Sequence, residues 1–407
     1  MQEALIQKAK KYIANTYNRY PIVATRGDGC WVWDLDGRRY LDFLAGIAVC
    51  NLGHVRKEVL DDLIAQAKKL FHISNLFYME PQIKAAEVIV DYSFGDKVFF
   101  CNSGAEANEA AIKLARRYSW KKYGKERYEI IVMDNSFHGR TLCTLSATGQ
   151  KKFWEGFDPL VEGFTYVPFN NIGALQKSMS KKTCAVMLEL IQAEGGIYVA
   201  DKEYIKALRT LTKEKDVLLI LDEVQTGMGS TGKLFAYEHF DVTPDLMTLA
   251  KALGNGFPVG VLVGKDNIME AFEPGSHAST FGGNPLAAAS VYATFTTMVG
   301  EGILKNCTEM GKYLHTHLLS LKKKYSFITD VRGKGLIWGI ELSIDGDMVQ
   351  REFLKEGVIL NCTKGTILRL VPPLIIGTEE IDIFHEIADR VFERFSKDTG
   401  SKADRLI

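Results

Sequence analysis

The chain has 407 residues, 50 basic and 50 acidic, so its formal net charge is zero and its pI is about neutral. A chain of this length holds about two or three domains and can bury a deep site, while the balanced charge removes the electrostatic footprint of a nucleic-acid binder. The seven cysteines, Cys30, Cys50, Cys101, Cys143, Cys184, Cys307 and Cys362, are odd in number, scattered and never spaced as CxxC, which argues against a disulfide framework or a zinc ribbon and for a reducing cytoplasm.

Met1 to Tyr20 carries Lys8, Lys10 and Lys11 but no apolar run of signal-peptide length, and no later stretch approaches a membrane span, so no membrane partner is expected. The segment opens with an amphipathic pattern through Ala4, Leu5, Lys8 and Tyr12. CWVWDLDGRRYLDF then reads as two alternating runs joined by Asp36-Gly37, the signature of a hairpin with a type I′ turn. From about Lys97, the runs VFFCNS, EIIVMDNS, CAVMLELI, VLLILDEV and DLMTLAK alternate with helical patterns such as Ala105 to Tyr118. Strands apolar on both faces and separated by helices imply a parallel sheet covered on both sides. GVLVG, Gly260 to Gly264, follows Lys251 too closely for a helical crossover and is expected to be an antiparallel neighbour. An Ala-rich helix from Pro285 to Met298 leaves the sheet. The rest reads as helix (Leu304 to Lys323), strands (Val331 to Leu342), helix, strands (Val358 to Leu370) and a closing helix from Glu379, with a polar, frayed end at Asp398 to Asp404. His315 and His317, the one close histidine pair, are two positions apart, which suits no helical metal site, and no metal is expected.

The stretch from Leu219 to Lys251 carries the chemistry. Asp222 closes one apolar run and Lys251 another, 29 positions apart, so an acid and an amine stand at the ends of two neighbouring strands, where α/β sheets bind ligands. A carboxylate beside a pyridine nitrogen keeps that nitrogen protonated, and a lysine in a desolvated pocket can act as a Schiff-base amine. Gln225 is a candidate donor to the ring's phenolic oxygen. CNSGAEANEA places Ser103 and Gly104 where a strand meets a helix, a ready phosphate site, although Ser103 and Glu106 also have the spacing of a capping box. SFHGRT brings Phe137 as a stacking ring and Arg140 as a carboxylate grip. GSHASTFGGNPLAA adds Ser279 and Thr280 ahead of a flexible glycine pair. LELIQAEGG brings Glu194, and LRLVPP brings Arg369, whose place in an apolar strand suggests a carboxylate partner. Taken singly, each has an ordinary reading as a cap, a core ring or a snorkelling lysine.

LILDEVQTG followed by TLAK, STFGGNPLA, NSGAEANE and FHGRT, in this order, resemble the class III (ω-amino acid) pyridoxal-phosphate aminotransferases, and the resemblance covers nearly the whole chain. It implies the α/β architecture of PLP fold type I: a mostly parallel central sheet with helices on both faces, plus a smaller α+β domain built from the N-terminal segment and the C-terminal part. The expected division is an N-terminal segment with a β-hairpin (1–55), a large cofactor-binding α/β domain (56–285), an interdomain helix (286–300) and a C-terminal α+β domain (301–407). It further implies pyridoxal 5'-phosphate held covalently by Lys251, with Asp222 on the pyridine nitrogen and Gln225 on the phenolic oxygen. Val224 and Phe137 would face the ring, and Ser103, Gly104 and Ala105 would hold the phosphate together with Thr280 from a partner subunit. Arg140, with Ser279, would hold the substrate carboxylate, Arg369 would take the α-carboxylate of glutamate under the control of Glu194, and Tyr17 is a possible substrate contact.

The activity implied is transfer of the ω-amine of N-acetylornithine, or a close ω-amino acid, to 2-oxoglutarate in a cytoplasmic homodimer, a step of arginine biosynthesis. Ornithine or 4-aminobutyrate as the amine, and an aminomutase of the same fold, are the alternatives. The chain departs from the family pattern at Ser230, at Ala278 and over Leu190 to Ala193.

Overall fold

Seven short strands form the central sheet: β1 (Lys97–Cys101), β2 (Glu129–Met133), β3 (Phe164–Val167), β4 (Thr183–Leu188), β5 (Leu218–Asp222), β6 (Leu246–Leu249) and β7 (Gly260–Gly264). This computed structural model describes the backbone of residues 1–403 and the side chains of residues 1–396; the fraying expected at Asp398 to Asp404 lies outside the fully described residues. The strand order is β1-β7-β6-β5-β4-β2-β3. Neighbours from β6 to β3 run parallel, whereas β7 is antiparallel to both β6 and β1, as its closeness to Lys251 predicts.

Every residue of β4, β5, β6 and β7 is buried, which explains their unbroken apolar runs. Alternate side chains serve opposite layers. Ile130, Val132, Ala185, Met187 and Ile220 pack with Ala110, Ala111 and Leu114 of the helix Gly104–Tyr123. Ile131, Met133, Val186, Leu219 and Leu221 pack with Tyr204, Ile205 and Leu208 of the helix Lys202–Glu214. Each fully buried aliphatic side chain contributes roughly 1.5–3 kcal/mol to this three-layer stack.

The N-terminal strands Ala24–Asp28, Trp31–Asp34 and Arg39–Asp42 are completed by Val358–Ile359 from the far end of the chain, pairing parallel to Arg39–Asp42. A second four-stranded sheet runs Ile328–Lys334, Ile337–Leu342, Ile367–Leu370, Asn361–Thr363, all antiparallel. The helix Pro285–Gly300 lies against the helices Lys57–Ala67 and Glu80–Asp91. The smaller α+β part thus draws on both termini, as the resemblance implies.

The N-terminal turn differs from the expected type I′. Only Gly37 has positive φ (84°), the Gly37 amide donates to the Asp34 carbonyl at 3.1 Å, and, with the Asp34 amide donating to the Arg38 carbonyl at 2.9 Å, the loop inside that pair holds three residues, Leu35 to Gly37. Asp34 causes this: its Oδ1 accepts from the amides of Asp36 at 3.0 Å and Arg38 at 2.9 Å, which stabilises a turn closed by a left-handed glycine.

Candidate active site

Strand β5 ends at Asp222, paired with Thr248 of β6, and β6 leads directly to Lys251, so the acid and the amine stand at the carboxyl ends of adjacent parallel strands. Together with the start of the helix Gly104–Tyr123 they border a cavity of about 610 Å³. Its wall also includes Ser103, Gly104, Ala105, Phe137, Arg140, Val224, Gln225 and the exposed Tyr17.

The acid is held from behind. Asp222 Oδ2 accepts from Asn108 Nδ2 at 2.8 Å and lies 2.7 Å from His138 Nδ1, while Oδ1 accepts from the Val224 amide at 3.0 Å. A carboxylate only accepts, so His138 Nδ1 is the donor; its buried Nε2 has no partner among the described residues. Asn108 is fixed in turn, donating to the His138 carbonyl at 2.7 Å and accepting from Thr248 Oγ1 at 2.7 Å.

The amine sits on bent backbone. Lys251 has φ +48°, a region costly for any residue with a Cβ, and it opens a short 3₁₀ turn. Burial pulls its ammonium down to about 8, opposed by the carboxylates of Glu194 and Asp222 and reinforced by Arg369. A lysine pulled down this far is neutral in far more molecules near neutral pH than an ordinary lysine.

At the helix start, Ser103 Oγ caps the Glu106 amide at 3.2 Å, and the Glu106 side chain reaches back one residue further than a capping box, to the Asn102 amide at 2.9 Å. The amides of Gly104 and Ala105 find no acceptor among the described residues, so they and the helix dipole form an anion site. Gly104 is required by close approach, because a Cβ there would stand 2.7 Å from Val224 Cγ1.

On another wall the Phe137 amide donates to Glu189 Oε2 at 2.9 Å, and its ring stands edge-on to Phe153. The Arg140 guanidinium lies 4.0 Å from the centre of the Phe153 ring, is exposed, and makes no ion pair among the described residues, so it is free for a carboxylate. Behind Gln225, Arg369 is 1 % exposed and donates from Nη1 to Glu194 Oε1 at 2.5 Å and to Gln225 Oε1 at 3.3 Å. Burial works against the charge on Glu194, yet Arg369, Lys251 and Arg140 hold its carboxyl below the ordinary range.

Ser279 and Thr280 are not brought to this cavity. They border a second one of about 710 Å³, with Asn75, Gln82 and His277. Ser279 Oγ is engaged by Asn102 Nδ2 at 3.2 Å and by the Gly282 amide at 3.0 Å, which braces the loop. Ser230 accepts from Asn51 Nδ2 at 2.9 Å inside the core.

Three residues with no role assigned from the sequence belong to the site. His138 stands in the FHGRT motif itself, and Asn108 is a polar residue on the buried face of its helix, one turn beyond Gly104. Glu189 lines the cavity fully buried; burial pushes its carboxyl well above the ordinary range, the nearby Asp222 adds to this, and the Phe137 amide opposes it. A charge inside the apolar run LELI was the available signal. Among the described residues no group of three His, Cys, Asp or Glu side chains could hold a metal ion.

The donor set fits pyridoxal phosphate: an anion site with a glycine at its floor, a free acceptor on Asp222, a buried amine, and Val224 and Phe137 as walls for a flat ring.

The profile of the family Aminotransferase class-III matches residues 12–392. The chain is 51% identical over 388 residues to the acetylornithine aminotransferase of Caldanaerobacter subterraneus subsp. tengcongensis, covering 95% of this chain and 98% of the relative. It is 50% identical over 398 residues to the acetylornithine aminotransferase of Methanocaldococcus jannaschii, covering 97% and 100%. Among solved structures, the ornithine aminotransferase of Toxoplasma gondii superposes with a TM-score of 0.95 at 31% identity, over 98% of this chain and 96% of that one. A second structure of the Toxoplasma gondii ornithine aminotransferase, with a TM-score of 0.94 at 32% identity over 98% and 96% of the two chains, has PLP at partial occupancy in its active site. The acetylornithine aminotransferase of Elizabethkingia anophelis superposes with a TM-score of 0.87 at 35% identity, over 97% and 99%. The chain belongs to the class-III aminotransferase family.

Proposed function

We propose that this protein is a pyridoxal 5'-phosphate-dependent aminotransferase that moves the ω-amine of N-acetylornithine, or of a close ω-amino acid, to 2-oxoglutarate, giving the semialdehyde and glutamate in arginine biosynthesis. The observation that carries the reading is the pair of buried Arg369 with half-buried Glu194, behind a cavity that contains both Lys251 and Asp222. The relatives named acetylornithine aminotransferase support this choice of amine.

When bound, pyridoxal phosphate supplies an electron-withdrawing ring that takes up the electron pair left as the substrate carbon loses its proton. Lys251 would hold the cofactor covalently until an incoming amine displaces it. Each half-reaction needs a base at the substrate carbon, and Lys251 Nζ, once free, would take the proton from the amine-bearing carbon of the donor and, in the second half, give one to the carbon of 2-oxoglutarate that becomes the α-carbon of glutamate. Asp222, fixed by Asn108 and His138, would keep a proton on the ring nitrogen. The Gly104 and Ala105 amides, behind Ser103, would hold the phosphate, and Gln225 would meet the phenolic oxygen, with Val224 and Phe137 as walls. Arg140 binds the substrate's distal carboxylate at the mouth, near Tyr17.

Two unlike substrates must share the cavity. With an ω-amine bound, Glu194 covers the charge of Arg369; with glutamate or 2-oxoglutarate, Glu194 yields and Arg369 takes the α-carboxylate. An unpaired buried arginine would otherwise be costly.

The working form is proposed to be a homodimer in which Ser279 and Thr280 serve the site of the second copy. Leu76 (88 % exposed), Tyr78 (99 %), Phe71 and Phe77 are exposed apolar side chains on the segment whose Asn75 and Gln82 brace the 279–283 loop, and such exposure favours self-association. Seven free cysteines favour a cytoplasmic location. No helix among the described residues is long and apolar enough to cross a membrane. The division at 1–55, 56–285, 286–300 and 301–407 stands as a proposal with this reading.

The test is kcat/KM for N-acetylornithine, ornithine, succinyldiaminopimelate and 4-aminobutyrate, each with 2-oxoglutarate. N-Acetylornithine is expected to lead. A lead by ornithine or 4-aminobutyrate would move the protein to another branch of the family, and multiple turnovers without 2-oxoglutarate would make it an aminomutase.

A further inference from the structure

Asn361 stands directly opposite Arg369 where Asn361–Thr363 pairs with Ile367–Leu370, so both side chains rise on the same face of the sheet. The contact is made: Arg369 Nε donates to Asn361 Oδ1 at 3.0 Å. A guanidinium offers a carboxylate two bidentate edges, Nε with Nη2 and Nη1 with Nη2. Asn361 closes the first. On the second, Nη1 meets Glu194 at 2.5 Å and Gln225 at 3.3 Å, and Nη2 has no partner among the described residues. Glu194 keeps 27 % of its side chain exposed against 1 % for Arg369, so it is the partner with room to leave. Asn361 is tied into a strand and does not line the cavity.

The amide is the right chemistry for this place. A carboxylate at position 361 would also accept from Nε, but it would cancel the charge that an incoming carboxylate needs. An amide oxygen satisfies Nε and leaves the charge intact.

We propose that Asn361 is a positioning residue that holds Arg369 by Nε, so that when Glu194 leaves, the Nη1–Nη2 edge already faces the α-carboxylate of a dicarboxylic substrate. The inference rests on the aminotransferase reading and deepens it: Asn361 acts on the glutamate and 2-oxoglutarate half of the reaction and not on the ω-amine half, in which Glu194 keeps Arg369 covered.

The experiment uses the holoenzyme with Asn361→Leu, which keeps the size and loses the acceptor, and Asn361→Asp, which keeps the acceptor and adds a negative charge. Glutarate, a dicarboxylate with neither amine nor keto group, is titrated by calorimetry, and each half-reaction is followed separately by the cofactor's absorbance. In Asn361→Leu glutarate is expected to bind about tenfold more weakly and kcat/KM for 2-oxoglutarate to fall alike, the size of one hydrogen bond to a charged group, whereas in Asn361→Asp, which keeps that bond, both fall through the added negative charge. The ω-amine half-reaction, in which Glu194 keeps Arg369 covered, is expected to change far less. Should Asn361→Leu fail to fold, Asn361→Ala, which also loses the acceptor, gives the same comparison. Unchanged glutarate affinity, or an equal fall in both half-reactions, overturns the proposal. A wild-type enzyme that transfers no amine to 2-oxoglutarate overturns the aminotransferase reading instead, and glutarate affinity still reads the Asn361 contact.

Discussion

His138 Nδ1 and Asn108 Nδ2 converge on one oxygen of Asp222, at 2.7 and 2.8 Å, and leave the other oxygen with only the Val224 amide. The carboxylate therefore gives one oxygen to the protein and keeps acceptor capacity on the cavity side. Asn108→Ala removes a donor from Asp222 and the acceptor of Thr248 Oγ1 together. It is expected to lower unfolding stability by about 1–3 kcal/mol in urea titration and to speed the loss of pyridoxal phosphate on dialysis. Thr248→Val, which leaves Asn108 bonded to Asp222, should keep cofactor retention near wild type. Equal retention in the Asn108 variant would show that Asp222 needs no such support.

Lys251 carries a pH signature. Its ammonium is pulled down to about 8 by burial, and only the neutral amine is nucleophilic. In cofactor-free protein the rate of covalent capture of pyridoxal phosphate should rise with pH through a midpoint near 8. Below that midpoint the amine is protonated and capture slows; above it the rate levels off. A stopped-flow absorbance series from neutral to alkaline pH reads this, and a midpoint near about 10.4, the ordinary lysine value, would mean that burial does not act on this amine in solution.

The two charges that define the site were legible because each ends an apolar run, where a charge is conspicuous. Strands buried on both faces were legible for the same reason, whereas β3, reading FTYV with three of its four residues half-buried at the sheet's edge, carries no such contrast. Glu189 bears the same mark as Lys251, yet nothing in LELIQAE tells whether Glu189 or Glu194 meets Arg369. That choice is made by the short strand Ile191–Gln192, which redirects the chain between them. Asn361 lies eight positions before Arg369, and their contact follows only from a strand register that local composition does not encode. Ser279 is a further case: its motif is plain, but its hydroxyl faces Asn102.

Removing the partner of Arg369 separates the two half-reactions. Glu194→Ala uncovers the guanidinium at all times, so glutamate and 2-oxoglutarate should bind as well as before or better, while the ω-amine must approach beside an uncompensated charge. The ratio of kcat/KM for the dicarboxylate half over the amine half is expected to rise by about tenfold, the scale of one charge-assisted contact. An unchanged ratio in single-turnover measurements would end the switch model.

The exposed apolar side chains of Phe71, Leu76, Phe77 and Tyr78 call for a partner. Leu76→Arg combined with Tyr78→Glu puts charges at the two most exposed of these positions and should shift the protein to monomers in sedimentation velocity. Because Thr280 is exposed in the single chain and stands outside the cavity that holds Lys251, the monomer should also lose affinity for pyridoxal phosphate. A stable monomer with full cofactor affinity would assign the phosphate to Gly104 and Ala105 alone.

His54 Nε2 lies 2.7 Å from Asp42 Oδ2, and Asp42 Oδ1 accepts from the amides of Leu44 and Ala45, both at 2.8 Å. These amides open a left-handed turn, with φ of +48° at Ala45, +66° at Gly46, +68° at Ile47 and +56° at Ala48, that leads to Val49 on the cavity wall. Such a turn is costly for residues with a Cβ and stands only because its surroundings hold it. The hydrogen bond to Asp42, and then that to Cys50, raise the His54 imidazolium to about 10. A raised base stabilises the fold fully below its unfolded pKa of about 6.5, and that contribution is lost as pH climbs through about 10. His54→Gln should therefore be less stable than wild type by about 1–3 kcal/mol at pH 6, and the gap should close between pH 6.5 and about 10. Denaturant titrations of the pair at three pH values read the gap directly, and other titrating groups cancel between the two proteins. A gap that stays constant with pH would assign His54 to packing alone.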